Sequence, residues 1–262
     1  EQRRERCRRP GGVERVTVDG AEPLVQMEQR GQIGGVGTPD RSEVHDANVL
    51  LAGVHPLRRA LDAAASGSFP TVDGRVEVHD PDDDGVHAVV EFTGHSFVLT
   101  DRPAAEVSAR GADGFGGATQ PDLLRWLAGP AGRIGSHDAV LVAVGTGDVA
   151  HAGRVRPRDD LDAHPRVVRA RAHRRDVRVF GDDQGLVTIG RGLVDRLELS
   201  VELHDGRASG RGAGRTLIEA GLGRLTAGEV IWAQVAPGNA ASLRAFLACG
   251  FTPIGAEVLL HP

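Results

Sequence analysis

A strand that alternates without interruption, runs into a glycine-rich turn and continues as a helix constrains this chain more than any other stretch. Leu197, Leu199, Val201 and Leu203 alternate with Glu198, Ser200, Glu202 and His204. A period of two puts the apolar residues on one sheet face and two carboxylates, a hydroxyl and an imidazole on the other. Gly206 to Arg215 follows, with glycines at 210, 212 and 214, and leads into Thr216 to Ala220, where Leu217, Leu222 and Leu225 keep helical spacing. Such glycines let backbone close round a ligand, and the unpaired N–H groups of a first helical turn face it with the positive end of the helix dipole. That arrangement suits a diphosphate, and Arg211 and Arg215 add positive charge beside it.

Two other phosphate-binding loops fail on residue grounds. A Walker loop ends in Gly-Lys-Ser/Thr, and the chain has no lysine. A dinucleotide-binding start needs an acidic residue about twenty positions on, at the end of a second parallel strand. Glu229 comes before its strand, Val230 to Val235.

After that strand, Pro237-Gly238-Asn239 turns into a helix over 240–248 carrying Leu243, Phe246 and Leu247, and Gly250-Phe251 restarts extended chain that reaches Leu260. The succession resembles the GNAT superfamily of acyl-CoA-dependent N-acyltransferases over about residues 166–262. The matching segments are Ser209-Gly210-Arg211-Gly212-Ala213-Gly214, Asn239-Ala240-Ala241-Ser242 and Gly250-Phe251. The resemblance implies a mixed, mostly antiparallel α/β sheet flanked by helices, and acetyl-CoA as co-substrate. It assigns coenzyme binding to Val201 and Leu203 on the strand, to Gly210, Arg211, Gly212, Ala213, Gly214 and Arg215 in the loop, and to Asn239. Ser209 stands where the family usually has Gln or Arg. Phe246 stands where many members carry a Tyr that reprotonates the coenzyme thiolate.

The implied reaction is direct attack of an amine on the thioester, which is helped by a base because primary amines are protonated at neutral pH. Glu198 and Glu202, on the polar face of the strand, are both candidates. A non-catalytic acyl-CoA-binding module is the alternative reading. The acceptor is expected to be a small-molecule or peptide amine.

The rest of the chain narrows the classes. All 31 basic residues are arginine, which rules out lysine Schiff-base chemistry, and a formal charge of −5 gives no field favouring nucleic acid or an anionic membrane. Cys7 and Cys249 have no metal-ligand or disulfide spacing, and no metal is expected. No apolar run reaches the length of a membrane span and the first ten residues are charged, so the expectation is a cytoplasmic protein.

Residues 1–46 show no sustained period and are expected to form a disordered leader. Residues 47–147 read as an additional N-terminal α/β unit of short strands and helices, including the apolar run Ala139 to Val144. Residues 148–165, rich in Gly, Arg, Pro and Asp, read as a linker. Within the N-terminal unit the acidic run Asp80 to Asp84, which contains Pro81, and the glycine-rich segment Gly111 to Gly117 read as turns rather than ligand sites.

Overall fold

Segments with strand periodicity pair into one open sheet in the computed structural model, which describes residues 53–204 and 212–262. The strands are β1 (Val76–His79), β2 (His87–Phe92), β3 (His95–Leu99), β4 (Arg133–Val144), β5 (Arg156–Pro157), β6 (Arg175–Gly181), β7 (Gly185–Arg191), β8 (Leu197–Leu203), β9 (Val230–Val235) and β10 (Thr252–His261). Their order is β1-β3-β2-β10-β4-β9-β8-β7-β6-β5. Pairing is antiparallel except at β1 with β3 and β8 with β9. The helices are α1 (Pro56–Ala65), α2 (Ala104–Ala109), α3 (Pro121–Ala128), α4 (Val149–Ala152), α5 (Pro165–His173), α6 (Ala213–Gly223) and α7 (Ala240–Ala248). A mixed, mostly antiparallel sheet flanked by helices is the expected fold class. The expected leader lies outside the described residues.

Alternation along the strands sorts the core onto two faces. Leu197 and Leu199 of β8, Ile231 and Ala233 of β9 and Leu141 of β4 pack with Leu217 and Ile218 of α6 and Phe246 of α7. On the opposite face Val140 and Val142 of β4 and Trp232 of β9 pack with Leu57 and Leu61 of α1. Each such Val, Leu, Ile or Phe side chain taken fully out of water contributes roughly 1.5–3 kcal/mol.

The expected boundary at 148–165 does not divide this sheet. Strand β4, from the expected N-terminal unit, lies between β9 and β10 and pairs with both. Within the expected linker, residues 149–152 form α4 and residues 156–157 form β5. Asn48–Pro262 is one compact unit. The reason is in β4 itself, since Leu141 is buried on one face and Val140 and Val142 on the other. A strand apolar on both sides needs the interior of a covered sheet.

Both turn readings hold. Asp113 Oδ1 accepts from Phe115 N and Gly117 N at 2.8 Å each, closing the glycine-rich segment on itself. Asp82 is 8% exposed, and its two oxygens accept from the backbone of Asp84, Val86 and Val194.

Candidate active site

The site is built where β8 and β9 part company. β8 pairs with β7 along its whole length, from Leu197 to Leu203. With β9 it pairs only at Glu198 and Trp232. His204 N donates to Gln184 O on the β7 side. Because backbone groups alternate in direction along a strand, the N–H and C=O of Val201 and Leu203 face the β9 side, where the ladder has ended. Val201 and Leu203 thus present backbone groups to the gap between the strands.

That gap opens on a cavity of about 590 Å³ lined by Val201, Glu202 and Leu203 of β8, Gly212, Gly214 and Arg215 at the start of α6, and Asn239, Ser242 and Phe246 of α7. Gly212 is the N-cap of α6 at φ 90, a left-handed conformation natural to glycine, and among the described residues no side chain caps the helix. The first-turn amides from Ala213 onward, which have no partner within the helix itself, can face a ligand. A Cβ built on Gly214 meets nothing within 4 Å. Among the described residues packing therefore does not require a glycine there, and Gly214 lines the cavity. Arg166 and Arg244 line the same cavity with Arg215, so its wall carries cationic groups. Gly210 and Arg211 lie outside the described residues. Asn239 Oδ1 accepts from Ser242 N at 3.1 Å, so this residue is the N-cap of α7 as well as part of the wall. Phe246 is buried and meets Phe251 edge-on with ring centroids 4.9 Å apart. No proton can come from it.

A second cavity, also about 590 Å³, lies on the polar face of β8. Four strands present polar groups to it: Glu198 and Ser200 from β8, Gln234 from β9, Asp138 from β4 and Glu257 from β10. Helix α5 and the residues just after it supply Arg166, Arg169 and Arg174. Arg166 lines both cavities.

Glu198 does not stand free in this space. Its Oε2 accepts from Arg174 Nε at 2.6 Å and its Oε1 from Arg196 Nε at 2.8 Å. Arg196 is fully buried, and its Nη2 also bonds Glu257 Oε1 at 2.7 Å. The turn before β8 drives Arg196 inward. Val194 and Asp195 hold left-handed backbone at φ 48 and φ 60. Asp82 Oδ2 fixes Val194 N at 2.9 Å, and Arg58 Nη1 donates to Asp195 O at 2.8 Å. Gly192 is required beside it, because a Cβ there would come 2.5 Å from the Glu198 carboxyl carbon.

These contacts set the acidities. Burial pushes the Glu198 carboxyl up, but the Arg196 and Arg174 guanidiniums outweigh it and hold Glu198 below the ordinary carboxylate range. Glu257 shares only Arg196, so burial prevails and its pKa rises, with the like charges of Glu198 and Asp138 adding to the rise. Asp138 rises by burial too, partly opposed by Arg169 and His137. Glu202 differs from all three, being half-exposed and bonded to Arg166 Nε at 2.7 Å.

The two expected bases are therefore spoken for. Both Glu198 oxygens are in ion pairs and its charged form is favoured, which makes it a poor proton acceptor. Sequence reasoning passed over Asp138, Gln234 and Glu257. One signal was present: Glu257 interrupts the apolar run Ile254 to Leu260, and a carboxylate inside such a strand needs a buried partner.

Among the described residues no group of His, Cys, Asp or Glu is placed to hold a metal ion, and no helix is long and apolar enough to cross a membrane.

No protein-family model matches the chain, and no curated protein matches it. Among solved structures it is similar to a GNAT-family protein from Novosphingobium aromaticivorans, at 19% identity and TM-score 0.36, over 50% of this chain and 67% of that one. It is also similar to a functionally unknown conserved protein from Staphylococcus epidermidis, at 13% identity and TM-score 0.32, over 67% of this chain and 72% of that one.

Proposed function

We propose that the protein is an acyl-CoA-dependent N-acyltransferase, with acetyl-CoA as the most fitting donor and an amine as acceptor. The observation that carries this reading is the cavity at the β8–β9 gap. It joins the backbone groups of Val201 and Leu203 that face the β9 side to the first turn of α6. An extended amide-containing arm can pair with the former, and a diphosphate with the latter. Arg215 and Arg244 at the wall suit the phosphates of such a handle.

The thioester supplies an activated acyl carbon. The protein's part is to align the two reactants and to remove water from between them. Transfer forms the C–N bond and breaks the C–S bond; the leaving sulfur takes the electron pair, and the nitrogen gives up a proton. Glu198 and Glu202 were the expected receivers of that proton. Glu198 is held by two guanidiniums and Glu202 by Arg166, so neither is well placed for it.

A second reading, a binding module that holds acyl-CoA without turning it over, is favoured by one observation: Phe246 offers no hydroxyl to the leaving thiolate. One experiment tests both. Acetyl-CoA added to the protein should raise its melting temperature, and an amine panel should then release free thiol. A thermal shift without thiol release selects the binding module, and no shift at all overturns both.

A further inference from the structure

Asp138 of β4 and Glu257 of β10 are direct cross-strand partners. Two carboxylates opposite each other on one sheet face repel, and the arrangement persists in proteins only where something positive, or a shared proton, relieves it. Arg196 relieves one side of the pair, bonding Glu257 and not Asp138. Glu257 is 2% exposed and lines the second cavity, and its Oε2 has no aligned hydrogen-bond donor although Arg196 Nη2 lies 2.6 Å away. Asp138 Oδ1 is shielded from solvent and has no donor either.

A neutral group on the neighbouring strand points the same way independently. Gln234 Oε1 accepts from Arg174 Nη2 at 3.2 Å, which fixes the orientation of the amide. Its Nε2 is shielded from solvent and has no acceptor, on a side chain that lines the same cavity. The wall thus combines one carboxylate oxygen in want of an N–H group, Asp138 Oδ1, with one donor in want of an oxygen, Gln234 Nε2, while Glu257 keeps its ion pair with Arg196. A protonated primary amine bearing an acyl-accepting nitrogen, beside a carbonyl oxygen, supplies both.

We infer that the Asp138–Glu257 pair is the acceptor subsite, seating the ammonium group of a primary amine and receiving, at Asp138, the proton the amine must lose. The inference rests on the acyltransferase reading for the fate of the amine, but the seat itself does not. In the step, an N–H bond breaks and an O–H bond forms on Asp138. The electron pair stays on nitrogen and becomes the nucleophile. Asp138 is faced by Glu257 from β10, by Arg169 from α5 and by His137 from its own strand. Glu257 in turn faces Glu198 and Arg196. His173, Arg174 and His261 close the rest of the wall.

The test uses ethylammonium and tetramethylammonium, equal in charge, only the first having N–H groups. Ethylammonium should bind the full chain about tenfold more tightly, as a charged hydrogen bond requires. Asp138→Asn should abolish that preference, while Asp101→Asn, a surface change, should keep it. Glu257→Gln removes an Arg196 partner and risks the fold, so Asp138→Asn decides. A preference absent in the unmodified protein, or surviving in Asp138→Asn, overturns the seat. Proton uptake is read from acyl transfer to ethylamine. The rate loss in Asp138→Asn should shrink as pH rises toward the amine's own pKa, and a pH-independent loss overturns the proton role. Thiol release that fails while the binding preference obeys Asp138 sinks the acyltransferase reading alone. Thiol release that persists while the preference ignores Asp138 sinks the seat alone.

Discussion

Arg174 Nη2 reaches Gln234 Oε1 at 3.2 Å across the gap where β8 and β9 have ceased to pair. The same guanidinium bonds Glu198 through Nε at 2.6 Å and Ser200 Oγ through Nη1 at 3.2 Å. One planar group therefore ties the splayed strands together and keeps the split from propagating toward the single remaining ladder pair.

Arg174→Ala should destabilise the protein by about 3 kcal/mol or more, because it leaves a buried carboxylate with one partner of two. Arg174→Lys should recover only part of this, since an ammonium cannot serve three acceptors held in one plane. Urea unfolding of the two variants checks both points. Equal stability of all three proteins would remove Arg174 from the role.

The two glutamates of β8 should separate under amide substitution. Glu198→Gln strips the charge from a buried carboxylate held by two arginines, and a loss of several kcal/mol in stability should accompany any loss of rate. Glu202→Gln breaks a half-exposed pair, so its cost should stay below about 1 kcal/mol. Its acyl-transfer rate should remain within a few-fold of the unmodified protein, with an unchanged pH profile. A melting temperature measured beside each rate distinguishes chemistry from folding.

Local periodicity carried the elements themselves far. The alternation of β8 is read without error because one face is wholly apolar, whereas α6 begins at Ala213, one turn before the expected Thr216, because Gly214 is accommodated inside the first helical turn. The place of β4 was not legible, because its partners β9 and β10 lie far along the chain and no local pattern names them. The same is true of Asp138 and Glu257, whose opposition exists only once the β4–β10 register is set. Nothing in the local sequence sets Arg174 apart from the arginines around it. At the end of a short helix, sequence alone does not say which arginine turns toward the sheet.

Gly214 gives a test of the first cavity that leaves the fold alone. Its Cβ space is open, and in the first turn of α6 a carboxylate favours the helix dipole. Gly214→Glu should therefore keep or raise the melting temperature while weakening acetyl-CoA binding by about tenfold or more, through repulsion of the diphosphate. Gly212→Ala should do the reverse, costing about 1 kcal/mol in stability because a Cβ is forced into left-handed backbone. Calorimetric titration with acetyl-CoA and thermal unfolding read the two effects separately. Unweakened binding in Gly214→Glu would move the diphosphate away from this helix end.

Acidification should weaken the fold through His173 and His261, whose rings lie 5.2 Å apart beside the second cavity. Burial lowers both pKa values, with each other's charge and that of Arg169 and Arg133 adding to the effect at His173, and Arg133 and Arg169 at His261. The folded protein thus refuses protons that the unfolded chain accepts near 6.5. Stability should fall as pH drops below that value and stop falling once the folded rings are protonated. Asp138 and Glu257 act in the opposite direction. Their raised pKa values mean that the folded state binds protons more readily than the unfolded chain above 3.8 and 4.5, so their protonation offsets part of the loss. The variant His173→Gln with His261→Gln isolates the histidine contribution. Its urea midpoint should change less between about pH 7 and about pH 5.5 than that of the unmodified protein. Asp138→Asn, which removes a carboxylate that burial disfavours, should raise the midpoint at neutral pH even as it empties the amine seat. A midpoint that falls in Asp138→Asn would show that the carboxylate is stabilised by a partner already present in the folded state, which removes the unmet acceptor on which the amine seat rests.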